Sequence, residues 1–199
     1  MPDGTPQEWI AVVDFGSQYT QLIARRLREI GVYCEVHPCT ADAAAILARR
    51  PIGVVLSGGP RSVTEPGAPT IPPPFLAAGH PPLLGVCYGL QALCRALGGE
   101  VVRADRREYG HARLVRCGAD GLLADMPREF PVWMSHGDRV ERLPPGFEVA
   151  ARSADSPYAA VADGARRIYG VQFHPEVHHT PDGTRILRRF AREICGAKG

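Results

Sequence analysis

No apolar run in this chain approaches the ~18 residues that a membrane span requires. The first such run, starting at Trp9, is already broken by Asp14. A transmembrane segment is therefore excluded, and residues 1–8 are too polar for an export signal and read as a flexible N-terminus. The six cysteines include no Cys-x-x-Cys pair, which favours neither a zinc site nor a disulfide framework. No metal is expected, and a reducing, cytoplasmic compartment is. Lysine is almost missing: of 23 basic residues only Lys198 is one, and the arginines are scattered rather than striped. With a net charge of +2, that distribution argues for solvated faces and against nucleic acid as a partner. No repeat is present, and the one biased stretch, the proline-rich 66–74, reads as a surface loop.

What is present suits one domain. The chain has 199 residues, 45% of them hydrophobic, enough to bury one sizeable core. Gly85-Val86-Cys87-Tyr88-Gly89-Leu90-Gln91 carries most of the chemistry. Residues 82–86 are a short apolar strand, and Leu90, Leu93, Cys94 and Leu97 recur at helical spacing until Gly98-Gly99. Cys87 thus falls on a strand-to-helix corner, with glycines leaving room for a sharp turn. A helix dipole contributes roughly 0.3–1 kcal/mol, at best about 2, against about 1.4 for each pKa unit. A thiol starting near ~8.5 stays mostly protonated with that help alone, so a base is required. The segment ending Phe173-His174-Pro175-Glu176 supplies one. Residues two apart in an extended strand point to one side, so Glu176 can fix the ring of His174 while His174 takes the thiol proton. A second strand, 52–56, ends in Ser57-Gly58-Gly59-Pro60, whose bare backbone lets a substrate approach closely.

The remaining pattern alternates. A strand over Trp9–Asp14 leads to a helix that Ser17 can cap and Gly31 ends, followed by a strand at 32–36 and a helix at 43–50. After Gly99 come short β-prone pieces, 101–102, 113–117, 132–134, 148–151 and 158–162, and the chain closes with a helix over 183–195. This order predicts an α/β fold: a doubly wound, mostly parallel sheet with helices on both faces and extra antiparallel strands. The strand ends carrying Ser57, Cys87 and His174 should then share one rim.

These segments resemble the class I glutamine amidotransferases, over nearly the whole chain from about Trp9 to Cys195. Asp14-Phe15-Gly16-Ser17-Gln18, Arg107-Glu108-Tyr109-Gly110 and Ser135-His136-Gly137-Asp138 resemble the branch that serves GMP synthesis. The resemblance implies a catalytic triad of Cys87, His174 and Glu176, and an oxyanion hole made by the N–H groups of Gly59 and Tyr88. It implies that Gly58, Gln91, Ser135, His136, Gly137 and Asp138 hold glutamine, with His136 as readily packed beneath the site as touching ligand. It implies no cofactor in this domain. ATP and Mg²⁺ belong to a partner ATP-pyrophosphatase (synthetase) domain that turns xanthosine monophosphate into GMP, either in the same full-length chain, which the linker-like ending favours, or as a separate subunit beside a free-standing glutaminase. The expected organisation is a glutaminase domain over 9–195 and the start of a linker at 196–199. Pro60 removes an N–H that a phosphate-binding loop would use, so the 57–60 loop reads as the oxyanion loop. Two alternatives stay open at this point: an amidotransferase subunit for anthranilate, carbamoyl phosphate or CTP synthesis, and a non-catalytic module that kept the fold.

Overall fold

The computed structural model describes residues 8–118 and 121–198. Residues 1–7 and Gly199, parts of the expected flexible start and linker, lie outside the described residues, as does the Arg107 side chain. Residues 196–198 pack back onto the domain: Ala197 N–H donates to Ala191 O at 3.0 Å, and Lys198 N–H to Glu8 Oε2 at 2.7 Å.

Among the described residues, nine strands form one sheet: β1 (Trp9–Asp14), β2 (Tyr33–Pro38), β3 (Gly53–Leu56), β4 (Leu83–Val86), β5 (Glu100–Arg116), β6 (Glu129–Arg142), β7 (Glu148–Arg152), β8 (Ala160–Asp163) and β9 (Ile168–Val171). Their order is β2-β1-β3-β4-β9-β8-β7-β5-β6. The first five pair in parallel and the remainder antiparallel, as the alternating pattern predicts. Helices α1 (Thr20–Glu29), α2 (Ala43–Ala48), α3 (Tyr88–Ala96) and α4 (Gly183–Arg189) cover both faces. Side chains alternate along β1, and this divides the core. Ile10 and Val12 join Ile23 and Leu27 of α1 and Ile186 and Leu187 of α4 on one face. Trp9, Ala11 and Val13 join Ile46 of α2 and Leu90 and Leu93 of α3 on the other. The central strands, buried on both sides, are accordingly apolar throughout.

Several local expectations are corrected. Ser17 does not cap α1. The helix begins at Thr20, and Ser17 Oγ accepts the Tyr19 N–H in a preceding turn, while Asp14 Oδ1 accepts from Gly16 N–H and the Thr20 hydroxyl. The pieces at 101–102, 113–117 and 132–134 belong to one long β5–β6 hairpin whose register shifts between Arg103 and Glu108, whereas 148–151 is separate, in β7. Tyr158 lies ahead of β8 rather than in it. The closing helix is α4 followed by a π-helical turn, Phe190–Ile194. The proline-rich loop runs into a 3₁₀ turn, Pro73–Leu76, that buries Phe75.

The topology seats β3, β4 and β9 side by side at the centre of the sheet. Their carboxyl ends are where Ser57, Cys87 and the segment leading to His174 emerge, the rim on which ligands of open α/β sheets bind.

Candidate active site

Cys87 sits between β4 and α3 with φ +51° and ψ −105°. A non-glycine residue held there costs on the order of 1–3 kcal/mol and persists only where its surroundings enforce it. They do so here. Cys87 N–H donates to Val171 O of β9 at 2.8 Å, and Gly89 N–H donates to Ser57 O at 3.1 Å, tying the corner to both neighbouring strand ends. Gly85 and Gly89 are required by close approach: a Cβ on Gly85 would lie 2.6 Å from Leu90 N, and one on Gly89 2.3 Å from Leu56 O.

Gly59 and Tyr88 both line the cleft beside Cys87. Tyr88 is the first residue of α3, so its N–H has no partner within the helix. Neither it nor Gly59 N–H donates to a protein acceptor among the described residues. Gly59 admits no side chain, since a Cβ there would meet Phe15 O at 2.8 Å and Tyr88 Cγ at 3.2 Å. The loop is held from below by Ser57, whose Oγ accepts Phe15 N–H at 2.9 Å and donates to Gly58 O at 2.8 Å. Preorganised donors of this kind stabilise a developing oxyanion, and losing one typically costs about 10²–10³ in rate.

β9 closes at Val171, so His174, Pro175 and Glu176 lie in a turn beyond the strand rather than in it. His174 Nδ1 is 2.8 Å from Glu176 Oε1. A carboxylate only accepts, so Nδ1 carries the proton and Nε2 is left to exchange one with the thiol. Burial alone would depress the basicity of His174; the Glu176 carboxylate and the Cys87 sulfur outweigh it and hold the ring well above its ordinary pKa. Glu176 is fully buried, and its second oxygen has no hydrogen-bond partner among the described residues. The turn is braced by Arg26 Nε donating to Glu176 O at 3.2 Å, by Thr180 Oγ1 donating to His174 O at 2.7 Å, and by His174 N–H donating to Trp133 O at 3.0 Å. Gly183 lets α4 pass against it, because a Cβ would fall 1.9 Å from Pro175 O.

Cys87, Gly59 and Tyr88 open onto a cleft of about 270 Å³ that Gln91 and the Ser135–Asp138 segment also line. That segment lies inside β6, not after a strand. Gln91 Nε2 donates to Asp138 O at 2.9 Å. His136 spends both ring nitrogens on protein: Nδ1 is 2.8 Å from Asp138 O and Nε2 is 3.2 Å from Glu108 Oε2. Burial would raise the Glu108 carboxyl, but hydrogen bonds from His136, Ser156 and Ser153 prevail and hold it below the usual carboxylate range. Asp138 reaches the cleft with its carboxylate bonded to the Ser62 hydroxyl. Gly58 is not among the lining residues. It packs against His174 and Ser17, where a Cβ would meet His174 Cε1 at 3.2 Å and Ser17 Oγ at 3.5 Å.

Residues that the sequence reading did not single out also enter. Ser62 anchors Asp138, Arg103 lines the cleft opposite Asp138 in the β5–β6 register, and Gln172 bonds both Gln91 and Cys87. Arg61 and Glu65 complete the outer wall.

A strained cysteine in a cleft lined by Gly59 and Tyr88, whose N–H groups have no protein acceptor among the described residues, and backed by a histidine–carboxylate pair, is equipped for acyl transfer through a thioester, and the cleft admits an amino-acid-sized ligand. Comparison with known proteins specifies the family. The chain belongs to the class-I glutamine amidotransferases, whose family model matches residues 11–194. It is 53% identical over 187 residues to a GMP synthase [glutamine-hydrolyzing] of Thermomicrobium roseum, covering 94% of this chain and 35% of that one. The corresponding protein of Heliobacterium modesticaldum is 50% identical over 194 residues, covering 98% and 38%. The chain therefore spans little more than a third of the length of these relatives. Among solved structures, a putative GMP synthase subunit from Thermoplasma acidophilum superposes with a TM-score of 0.85 at 33% identity, covering 95% of this chain and 94% of that one. A glutamine amidotransferase from Thermotoga maritima, at 16% identity and a TM-score of 0.76, shares the fold.

Proposed function

We propose that this chain hydrolyses glutamine to glutamate and ammonia and passes the ammonia to an ATP-dependent synthetase that converts xanthosine monophosphate to GMP. The observation that carries the first half is the Cys87 corner, with Gly59 and Tyr88 lining the cleft beside it and His174, bonded to Glu176, in hydrogen-bond reach of the sulfur. The Cys87 thiolate attacks the side-chain carboxamide carbon of glutamine, forming the C–S bond as the carbonyl electrons move to an oxygen held by the two N–H groups. Collapse of that intermediate breaks the C–N bond, and His174 gives its proton to the departing nitrogen. Water, deprotonated by the same ring, then cleaves the γ-glutamyl thioester and regenerates the thiol. In this reading Asp138 pairs with the α-ammonium of the substrate, and Gln91 and Ser135 hold it. No step here calls on a metal or organic cofactor; ATP and Mg²⁺ would act on the synthetase.

Support for the second half is the naming of the full-length relatives, which are GMP synthases and of which this chain matches little more than a third. A reducing cytosol, in which Cys87 stays a free thiol, is the compartment this reading calls for. The open mouth of the cleft, where Tyr109 is 61% exposed, is the surface a partner would cover. Steady-state glutaminase activity, with and without a GMP-forming synthetase module loaded with ATP, Mg²⁺ and xanthosine monophosphate, tests the coupling. The loaded module is expected to raise the rate by an order of magnitude or more, about what one better-aimed oxyanion donor supplies. Stimulation by an anthranilate-forming partner with chorismate, and none by the GMP-forming one, would move the chain to a different pathway.

A further inference from the structure

Gln172 lies between β9 and His174 and is only 1% exposed. Its backbone N–H is fixed to Ala159 O at 2.8 Å. Its side-chain amide is spent in two directions: Oε1 accepts from Gln91 Nε2 at 3.1 Å, and Nε2 donates to Cys87 Sγ at 3.6 Å. The orientation of both amides follows from the far end of this chain of bonds. Asp138 O is a carbonyl and can only accept, so Gln91 must present its NH₂ group there. That same NH₂ group faces Gln172, which must answer with oxygen and turn its own NH₂ toward the sulfur. Gln91 is then left with its oxygen for the cleft it lines.

The sulfur is sensitive to which group it meets. As a thiol, Cys87 can donate to Ser135 O, 3.7 Å away. As a thiolate it can only accept, and a donor from Gln172 favours that form. We propose that Gln172 is a catalytic residue of the glutaminase reaction, donating to the Cys87 thiolate while holding Gln91 with its oxygen toward the substrate. This rests on the functional reading above. A charge-assisted hydrogen bond of this kind is worth roughly 10- to 100-fold in an equilibrium.

Gln172→Met keeps length and packing but removes the donor; Gln172→Glu keeps the shape but sets an acceptor against the sulfur. For both, kcat and KM for glutamine hydrolysis are measured, together with the rate of Cys87 alkylation by iodoacetamide across pH. The Met variant is expected to lose about 10- to 100-fold in kcat, with its alkylation profile displaced to higher pH, and the Glu variant to lose more. Gln91→Ala removes both a substrate contact and the partner that orients the Gln172 amide, so its KM should rise and its alkylation profile should move in the same direction as that of Gln172→Met, by less. A purely structural Gln172 would change thermal stability without moving the profile. Wild-type alkylation profiles in both Gln172 variants would overturn the proposal, and alkylation of the Glu variant decides the matter should the Met variant fail to fold. Absence of glutamate release by the wild type would instead overturn the functional reading, since alkylation does not depend on turnover.

Discussion

Cys87→Ala is expected to reduce glutamine turnover to background, a loss on the order of 10⁶-fold, while leaving the fold intact. The thiol is the proposed nucleophile in the cleft that Gly59 and Tyr88 line, and without it no thioester forms. The fold survives because the corner is shaped by other groups. Gly85 and Gly89 allow the close approach, and the backbone bonds of Cys87 to Val171 and of Gly89 to Ser57 close it. Cys87→Ser should be nearly as inactive, since a hydroxyl is ionised far less readily than a thiol. Turnover rates read beside circular dichroism and thermal melting check both variants. Near-wild-type turnover in the alanine variant would remove Cys87 from the chemistry.

His174→Ala should cost almost as much, because the ring both accepts the thiol proton and delivers one to ammonia. Glu176→Gln should retain a measurable fraction of activity, its loss about 10² smaller, because Glu176 acts on the ring and not on the substrate. The pair also predicts a pH effect on stability. Glu176 and the Cys87 sulfur raise the His174 pKa in the folded state, against an unfolded value near ~6.5. The protonated ring therefore stabilises the fold fully below pH ~6.5, and that contribution is lost as pH rises through the raised value. The Tm difference between wild type and Glu176→Gln should accordingly be largest in mild acid and narrow toward alkaline pH. If turnover falls as far in Glu176→Gln as in His174→Ala, the carboxylate has a more direct part than orientation.

The corner at Cys87 was readable from sequence because it is local: an apolar strand, two glycines and an amphipathic helix lie within a short span. His174 and Glu176 were readable for the same reason, although the strand before them ends sooner than the apolar pattern suggests. The long hairpin was not, because charges interrupt its alternation where the register shifts, and because Pro131 reads as a break. Pro131 is tolerated since β6 is the edge of the sheet. The cleft's outer and inner supports were hidden for another reason. Ser62 meets Asp138 across 76 residues and Gln172 meets Cys87 across 85, contacts that exist only once β4 lies beside β9 and the hairpin folds over the rim. Gly58 and Gly59, adjacent in sequence, cannot be told apart by residue type. One faces the cleft and the other packs against His174.

The central claim is that catalysis passes through a covalent bond to one sulfur. Acid quenching of the protein during glutamine turnover, followed by intact mass and peptide mapping, reads that bond directly. A γ-glutamyl adduct confined to the peptide carrying Cys87, and missing from Cys87→Ala, is the predicted result. Steady release of glutamate with no adduct on Cys87, or with the adduct on another residue, would contradict it.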